Sequence, residues 1–468
     1  MKTNSKIVLA GVSALSCAFG ALAEVPVVTS CSMSQAFNRI VTVKYAFADS
    51  SVPAVVTFDV KTNITGSATA NESDWVSVGG EKVCNASGAV WRRVTAADRG
   101  ANGLYTIKWD PTLTLKNAEG EGFVINAVRA EVTAWPLDNT PDYMVVDLRE
   151  GAVANSQYYY PAADFVPGGV TNRVYKTETL LMRKVMAKGV PWTMGSLSSE
   201  IGRNPQGVDN ENAHLVTLTN NYYIGVYEFT QAQWQRVATN SVALSHFAGE
   251  LKPQDCVSPN ELRRTHDTTN KTRPTASGAY LDFTGPFYAH PAPDSLIGLL
   301  RLKTGLDFEL PSEAQWEFAA RAGHGNGMWG DGSSVVGAAT DSNLDRLGWY
   351  GRGQNGETLD VGSFKPNSWG LYDMHGNVEE ICLDWYEENI ATATDTAGAL
   401  YAGRVNIDPS DPSRCLSGQV QPQTRIVTRS GDMINPASWC RSAARLSLPM
   451  RRKSCQVGFR VVCPAGLR

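Results

Sequence analysis

The stretch Asn367–Tyr386 reads N-S-W-G-L-Y-D-M-H-G-N-V-E-E-I-C-L-D-W-Y and decides the fold. Its apolar residues follow neither strict alternation nor a 3.6-residue repeat, so no single strand or helix accounts for the segment. Gly370 and Gly376 allow sharp backbone turns inside it. We therefore predict that irregular packing and side-chain hydrogen bonds hold this segment in shape, and that the rest of the chain is organised around it.

The composition is that of a folded protein with more than one domain. The chain has 468 residues, of which 43% are hydrophobic and 19% charged, and its net charge is −4. This length favours two domains, and the hydrophobic content argues against disorder. A nucleic-acid partner would need a concentrated basic face, whereas the one basic cluster, Arg451–Lys453, is short and is interpreted as a solvated loop.

The N-terminus is typical of a targeting segment. Lys2 and Lys6 precede an apolar run from Ile7 to Ala23, and a small-x-small pattern stands before Glu24. This arrangement predicts a secretory signal peptide over residues 1–23. Lipidation at Cys17 is the alternative, although the residues before it form a poor lipobox. No later apolar run approaches the roughly 20 residues of a membrane span. We expect an exported protein without a transmembrane span, in the periplasm, on the cell surface or secreted.

Residues 24–165 have the pattern of short strands. β-branched runs separated by turn-rich segments occupy Arg39–Tyr45, Ala54–Val60, Val90–Val94, Leu104–Trp109, Ala127–Thr133 and Tyr143–Leu148. This spacing predicts an all-β, immunoglobulin-like sandwich that acts as a spacer or adhesion module, with a ligand-binding domain as the alternative. Cys31 and Cys84 are candidates for a disulfide inside it. Residues 166–177 are predicted to be a linker to a second domain over 178–468.

The second domain carries a series of motifs. They are Y-Y-I-G-V-Y-E-F-T at Tyr222–Thr230, L-P-S-E-A-Q-W-E-F-A-A-R at Leu310–Arg321, C-R-S-A-A-R at Cys440–Arg445 and G-F-R-V at Gly458–Val461. With the opening stretch, they resemble the formylglycine-generating enzyme, or sulfatase-modifying factor, family, whose bacterial members carry G-L-Y-D-M-x-G-N-V-W-E-W-x-x-D-W-Y. The resemblance covers about residues 178–465 and implies an α+β, irregular, C-type-lectin-like fold. Capping boxes at Thr230-x-x-Gln233 and Ser312-x-x-Gln315 predict two helix starts.

The resemblance also implies a chemistry that this chain does not fully support. The family's enzymes oxidise a sulfatase cysteine to formylglycine with O2 and a copper(I) held by two thiolates, the ligands that this soft ion prefers. The window Arg429–Arg445 holds one cysteine, Cys440, which is the sole catalytic candidate, and Cys455 or Cys463 would enter only through a rearranged loop. Relatives without the copper pair imply instead a disulfide between Cys382 and Cys440.

Calcium is the second ion that the resemblance implies. One family site corresponds here to Asn377, the carbonyl of Val378, and Glu380; a second corresponds to Asn343, Leu344 and Phe364, with Gly362 where an acidic residue is expected. Oxygen ligands in an irregular loop suit a hard cation. The alternative is that Asn377 and Glu380 bind loop backbone without a metal.

Two classes of function follow. In the first, the chain is an exported, calcium-supported binding or surface protein for a protein or glycan ligand, with Asp432–Gln456 as an exposed face. The resemblance to variable proteins of diversity-generating retroelements suggests that face. In the second, it is an oxidase of the formylglycine-generating type, or a related oxidase, that acts on a sulfatase peptide from a displaced active site. The missing thiol favours binding.

Overall fold

The computed structural model describes residues 25–63, 71–115, 128–204, 210–239, 245–263, 291–353, 356–386, 425–449 and 452–466. The predicted signal peptide and Cys415 lie outside these residues. The chain divides into two compact units, the first comprising residues 1–146, 156–172 and 465–468 and the second comprising 147–155 and 173–464. No helix within the described ranges is long and apolar enough to cross a membrane.

The first unit consists almost entirely of strands. Its elements are β1 (Val28–Gln35), β2 (Val41–Phe47), β3 (Ala54–Asn63), β4 (Trp75–Ser77), α1 (Gly80–Val83), β5 (Ser87–Gly88), β6 (Arg93–Val94), β7 (Tyr105–Trp109), β8 (Val128–Trp135), β9 (Tyr143–Asp147) and β10 (Gln157–Tyr160). One sheet has the order β1-β2-β7-β5; the other has the order β4-β3-β6, with β8 also paired to β3. All these pairs are antiparallel.

The core of the first unit lies where side chains of the two sheets meet. In β2, alternate residues are buried, as expected for a strand with one face on a core. Tyr45 and Tyr105 stack with ring centroids 5.1 Å apart within one sheet, and Phe58 of β3 contacts Trp109 of β7 at 6.2 Å. The strands lie close to the predicted runs, except that Val90–Val94 shortens to β6. The immunoglobulin-like connectivity stays a prediction.

The second unit mixes short helices and strands. Its elements are α2 (Val174–Thr177), β11 (Thr179–Val185), β12 (Pro191–Met194), β13 (His214–Thr217), β14 (Tyr222–Gly225), α3 (Gln231–Val237), α4 (Pro259–Arg263), α5 (Leu296–Thr304), α6 (Glu313–Arg321), β15 (Glu379–Trp385), β16 (Arg425–Arg429), β17 (Leu446–Pro449), β18 (Val457–Gly458) and β19 (Val462–Pro464). β14 pairs with β11 and β19, β12 pairs with β13, and a third sheet has the order β17-β16-β15-β18.

Both capping boxes predicted from the sequence are confirmed. Thr230 Oγ1 accepts a hydrogen bond from Gln233 N at 3.2 Å, and Thr230 N donates to Gln233 Oε1 at 3.0 Å. Ser312 and Gln315 make the same reciprocal pair at 3.2 and 3.0 Å. Each box satisfies two backbone N–H groups that a helix start leaves free, so α3 and α6 begin where the sequence predicts.

We predict that Ser312→Ala lowers the free energy of unfolding by about 1 kcal/mol, because Gln315 N then loses its acceptor in a buried helix start. Urea denaturation of the full chain measures this difference. Ser342→Ala is the matched control, since Ser342 is exposed. Equal stability of the two variants would contradict a structural role for the cap.

Candidate functional site

The opening stretch is anchored to α6 by its first residue. Asn367 Oδ1 accepts hydrogen bonds from the backbone N of Trp369 and of Leu371, both at 3.0 Å. Asn367 Nδ2 donates to the carbonyl of Ala319 on α6 at 2.8 Å. One amide side chain therefore closes the turn and joins it to the helix, and irregular structure continues from there to the start of β15.

A close backbone approach explains the glycine in the middle of the stretch. Gly376 has φ of 100°, and a Cβ there would lie 2.4 Å from the carbonyl oxygen of Trp349. The next residue, Asn377, donates its backbone N to that same oxygen at 2.8 Å. A side chain at residue 376 would separate the two segments, so only glycine fits.

His375 is a packed, neutral residue. Its Nδ1 lies 2.9 Å from the carbonyl oxygen of Cys440, and Gly330 N donates to its Nε2 at 3.2 Å. These partners place the proton on Nδ1. Burial lowers the pKa of His375 to about 4. The ring therefore ties the opening stretch to Cys440 without carrying a charge at neutral pH.

The arginines near the end of the chain are buried and paired with acids. Arg441 binds both carboxylate oxygens of Glu211, at 2.8 and 2.9 Å, and Glu200 at 2.7 Å. Arg445 makes a two-point contact with Glu313, at 2.6 and 2.9 Å. The planar guanidinium suits such contacts. Glu313, in the first turn of α6, is fully buried.

Arg429 lies in the same buried region of the second unit as Arg441 and Arg445. It forms an ion pair with Glu317 of α6 and donates to the carbonyl oxygens of Ser442, Ala443 and Ala444 at 2.7, 3.1 and 2.9 Å. One guanidinium thus fixes the end of β16, the helix α6 and the loop that follows Cys440. Sequence positions more than 100 residues apart meet at this side chain.

The predicted calcium ligand Glu380 is committed to protein partners. Arg460 donates to both of its carboxylate oxygens at 2.5 Å, and Trp316 Nε1 donates to Oε2 at 2.7 Å. All three side chains are fully buried. The guanidinium already balances the carboxylate charge, so a calcium ion at Glu380 would have to displace it.

The side chain of Asn377 and the backbone N of Val378, beside Glu380, also have protein partners. Asn377 Oδ1 accepts from Leu359 N at 2.9 Å, and Asn377 Nδ2 donates to Glu228 at 2.6 Å. Val378 donates its backbone N to the other oxygen of Glu228 at 3.3 Å. The residues as arranged do not fit a calcium ion, and the contacts agree with the alternative of hydrogen bonding without a metal. Calcium itself stays a prediction.

The second predicted calcium site lacks a charged ligand. Asn343 Nδ2 donates to the carbonyl of Ser334 at 2.8 Å, and the backbone N of Leu344 donates to Asp341 at 3.2 Å. Phe364 packs its ring 6.1 Å from that of Trp349. Gly362, where the resemblance expects an acid, brings no oxygen side chain. Among the residues that the structure describes, no group of three or more His, Cys, Asp or Glu is arranged to hold a metal.

The catalytic candidate Cys440 is a buried, neutral thiol. Its side chain is fully enclosed, with Sγ 3.9 Å from the carbonyl oxygen of Pro436. Burial raises the pKa of Cys440 well above its usual range, and the nearby carboxyl groups of Asp432 and Glu379 raise it further. Copper(I) binds thiolates, so this surrounding opposes the ionised form that a copper site needs.

The predicted disulfides are not formed in the structure. All cysteines of the described residues are free thiols. Cys382 Sγ lies 3.8 Å from the carbonyl oxygen of Glu380, in a different setting from that of Cys440. Cys31 Sγ and Cys84 Sγ each contact a separate backbone carbonyl, at 3.8 and 3.3 Å. Neither bond is present among the described residues, so the pairings of Cys382 with Cys440 and of Cys31 with Cys84 stay predictions.

The sequence analysis missed two carboxyl groups, Glu379 and Asp432, which we call the acid pair. Thr428 Oγ1 donates to Glu379 at 2.6 Å, and Asp432 Oδ1 accepts from Ile434 N and Asn435 N at 2.7 and 2.8 Å. Asp432 is fully buried, and the side chain of Gln456 lies beside its carboxyl group. Burial and the neighbouring carboxyl raise the pKa of Glu379 to about 8, and burial raises that of Asp432 to about 6.

One signal in the sequence points to the acid pair. The family stretch reads G-N-V-W-E-W, whereas this chain has Glu379 in place of the first tryptophan. An acid in place of a large aromatic residue changes both the volume and the charge of the interior. Two close carboxyl groups of raised pKa retain a proton near neutral pH, so the pair can donate as well as accept a hydrogen bond.

Comparisons with known proteins find a family model and several similar chains. The family model described as "Sulfatase-modifying factor enzyme 1-like domain" matches residues 174–465. The formylglycine-generating enzyme of Streptomyces coelicolor is 32% identical over 171 residues, covering 34% of this chain and 47% of the relative. The chaperone protein LppX of Paenibacillus barcinonensis is 28% identical over 236 residues, covering 43% of this chain and 80% of the relative. The solved structure of PvdO from Pseudomonas aeruginosa aligns with a TM-score of 0.42 and 22% identity, over 61% of this chain and 94% of that one.

The second unit is thus a mixed α and β domain in which buried arginines hold an irregular core loop. The chain belongs to the sulfatase-modifying factor enzyme 1-like family. It spans about half the length of the Streptomyces enzyme that it matches.

We predict that Arg460→Met lowers the free energy of unfolding by about 3–5 kcal/mol, because it leaves Glu380 buried without its cation. Thermal or urea unfolding measures the loss, and Lys365→Met, at an exposed position, is the control. The wild-type melting temperature should be the same in calcium and in EDTA. A rise with calcium would contradict the conclusion that the protein, as folded here, has no fitting calcium site.

We predict that Glu379 makes stability depend on pH. Its folded pKa of about 8 lies above the usual value, so its contribution is complete below about pH 4.5 and is lost as the pH rises through about 8. Between pH 6 and pH 8 the wild type should therefore lose about 1–2 kcal/mol more than Glu379→Gln. Glu357→Gln, at an exposed glutamate, should follow the wild type. Parallel pH profiles for wild type and Glu379→Gln would contradict the acid pair.

Proposed function

We propose that this chain is a binding protein of the sulfatase-modifying factor family and not a copper-dependent oxidase. The observation that carries the proposal is the state of Cys440. It is the one cysteine between Arg429 and Arg445, and it is a buried thiol next to two carboxyl groups. The window in which the family's enzymes hold copper(I) therefore offers one neutral sulfur.

The electrostatics oppose any thiolate at this position. A thiolate is stabilised by nearby cations or by a helix N-terminus, and is destabilised by burial and negative charge. Beside Cys440 stand Asp432 and Glu379, and the two share the same interior. The nearest arginine charge, on Arg441, is already balanced by Glu211 and Glu200. Ionisation of Cys440 would add a further negative charge to the acid pair.

The face around residue 435 is where a ligand would bind. Gly351 N donates to the carbonyl of Asn435 at 2.8 Å, and Arg352 N donates to the carbonyl of Met433 at 2.7 Å. The Arg352 guanidinium lies 3.8 Å above the ring of Trp349. We define this as the Trp349–Arg352 face. Tryptophan and arginine together are enriched at the centres of protein interfaces, which favours a protein ligand over a glycan.

The exposed face is smaller than the sequence analysis expected. Within Asp432–Gln456, residues 432–433 and 440–446 are buried, so they cannot contact a ligand. Pro436 is exposed and Asn435 is partly exposed. The turn around Pro436, together with the Trp349–Arg352 face, replaces the longer segment as the proposed contact surface.

A relative supports a role without the family oxidation. The relative LppX is named a chaperone protein, and the match spans 80% of its length. The name of this relative implies binding to another protein. We extend this to a chain exported by its predicted signal peptide, with the first unit as an immunoglobulin-like spacer or adhesion module. Calcium support is retained only as a question for the unfolding experiment, because the predicted ligands are occupied.

We predict that the purified full chain, loaded with copper(I) under O2, does not convert a Cys-x-Pro-x-Arg peptide to formylglycine. Mass spectrometry detects the conversion, and copper(I) titration should show no stoichiometric site that Cys440→Ser abolishes. Peptide turnover that requires Cys440, Cys455 or Cys463 would establish the displaced oxidase instead.

A second arm tests the binding proposal itself. Partners captured by the full chain should bind at least about tenfold less tightly to Arg352→Glu, because the charge change removes the cation at the interface centre. Lys365→Glu makes the same charge change at another exposed position and serves as control. If Arg352→Glu and Lys365→Glu lose the same affinity, or if the full chain captures only glycans, the Trp349–Arg352 face is rejected as a protein site.

A further inference from the structure

Two cysteines distant in sequence lie side by side in the second unit. Cys256 donates its backbone N to the carbonyl oxygen of Ser454 at 3.0 Å, and Ser454 directly precedes Cys455. With standard bond lengths and a trans peptide, this hydrogen bond limits the distance between the Cα atoms of Cys256 and Cys455 to about 7 Å. Disulfides span about 4.4–6.8 Å between Cα atoms, so the backbones are close enough to be bridged.

Both segments are held in place by further contacts. On one side, Gln254 N donates to the carbonyl of Phe229 at 2.8 Å, and the side chain of Asp255 accepts from the backbone N of His246 at 2.9 Å. On the other, Val457 N donates to the carbonyl of Ser454 at 3.1 Å and closes a tight turn. The backbones of the two cysteines are therefore brought together by two segments that are each held by their own contacts.

The exposure of these thiols differs from that of the other cysteines in the described part of the second unit. Cys256 and Cys455 are half-buried, whereas Cys382, Cys440 and Cys463 are buried. An oxidant or an alkylating reagent can therefore reach the first two. Burial, Asp255 and the Cys455 thiol raise the pKa of Cys256 to about 11, so both sulfurs are neutral thiols near pH 7 and react slowly.

We propose that Cys256 and Cys455 are a redox modification site at which an intramolecular disulfide forms. The co-reactant is a small-molecule disulfide such as glutathione disulfide. One thiol, after losing its proton, attacks that disulfide and releases one glutathione thiol. The second thiol then attacks the mixed disulfide, forms the Cys256–Cys455 bond and releases the second glutathione thiol. Two protein thiols are oxidised and one disulfide is reduced, so atoms and electrons balance.

The disulfide would restrict a segment that is hydrogen-bonded to Glu379 of the acid pair. The turn that contains Cys455 continues into Gln456, whose carbonyl oxygen accepts a hydrogen bond from the backbone N of Glu379 at 2.7 Å. A disulfide would fix this turn to the segment before α4 and restrict its motion. The oxidised chain should also be more stable, because the bond closes a long loop and restricts the unfolded chain.

The test uses the full chain treated with glutathione disulfide, alkylated under denaturing conditions and digested without reduction. Mass spectrometry should find one crosslinked peptide that joins Cys256 to Cys455. It should be absent from Cys256→Ser and Cys455→Ser and unchanged in Cys84→Ser. Reduction with dithiothreitol should lower the melting temperature of the wild type by about 5 °C or more and leave the two serine variants unchanged.

Two results would overturn the proposal. One is that Cys256 and Cys455 are both alkylated after treatment with glutathione disulfide. The other is that either of them pairs with a different cysteine, such as Cys415. Circular dichroism of each serine variant checks that it is folded, so that loss of the crosslink reports on the thiol and not on the fold.

Discussion

The second unit depends on arginine side chains buried against glutamates. A buried charge costs free energy unless a partner and hydrogen bonds satisfy it, so each of these side chains requires its partner in place. Arg429 joins α6 to the loop after Cys440, and Arg460 joins Glu380 to the indole of Trp316. With few long regular elements, the unit derives its specific shape from these contacts, and the irregular stretch becomes a rigid part of the core.

Local patterns in the sequence predicted the elements that depend only on residues close together in the chain. The capping boxes at Thr230 and Ser312 fixed two helix starts, because a cap needs only residues three positions apart. The resemblance located the core stretch and the buried arginines. It did not predict the acid pair, since Glu379 and Asp432 are brought together by the pairing of β15 with β16 and the loop that follows. Nor did spacing reveal that Cys382 and Cys440 face different surroundings.

The functional conclusion rests on a change in the chemistry of the interior. A copper(I) site requires ionised sulfur, whereas this interior presents one protonated thiol and two carboxyl groups that retain a proton. The proposed role is therefore recognition at the surface, with the residues around Cys440 serving packing and hydrogen bonding.

The position of β19 in its sheet has a consequence for biosynthesis. β19 pairs with β14, and Arg460, just before it, supplies the cation for Glu380. A nascent chain that has been translated only to β18 therefore holds a carboxylate without its counter-ion and a sheet with an open edge. Domains fold as units during synthesis, so this one cannot close until residue 464 has left the ribosome.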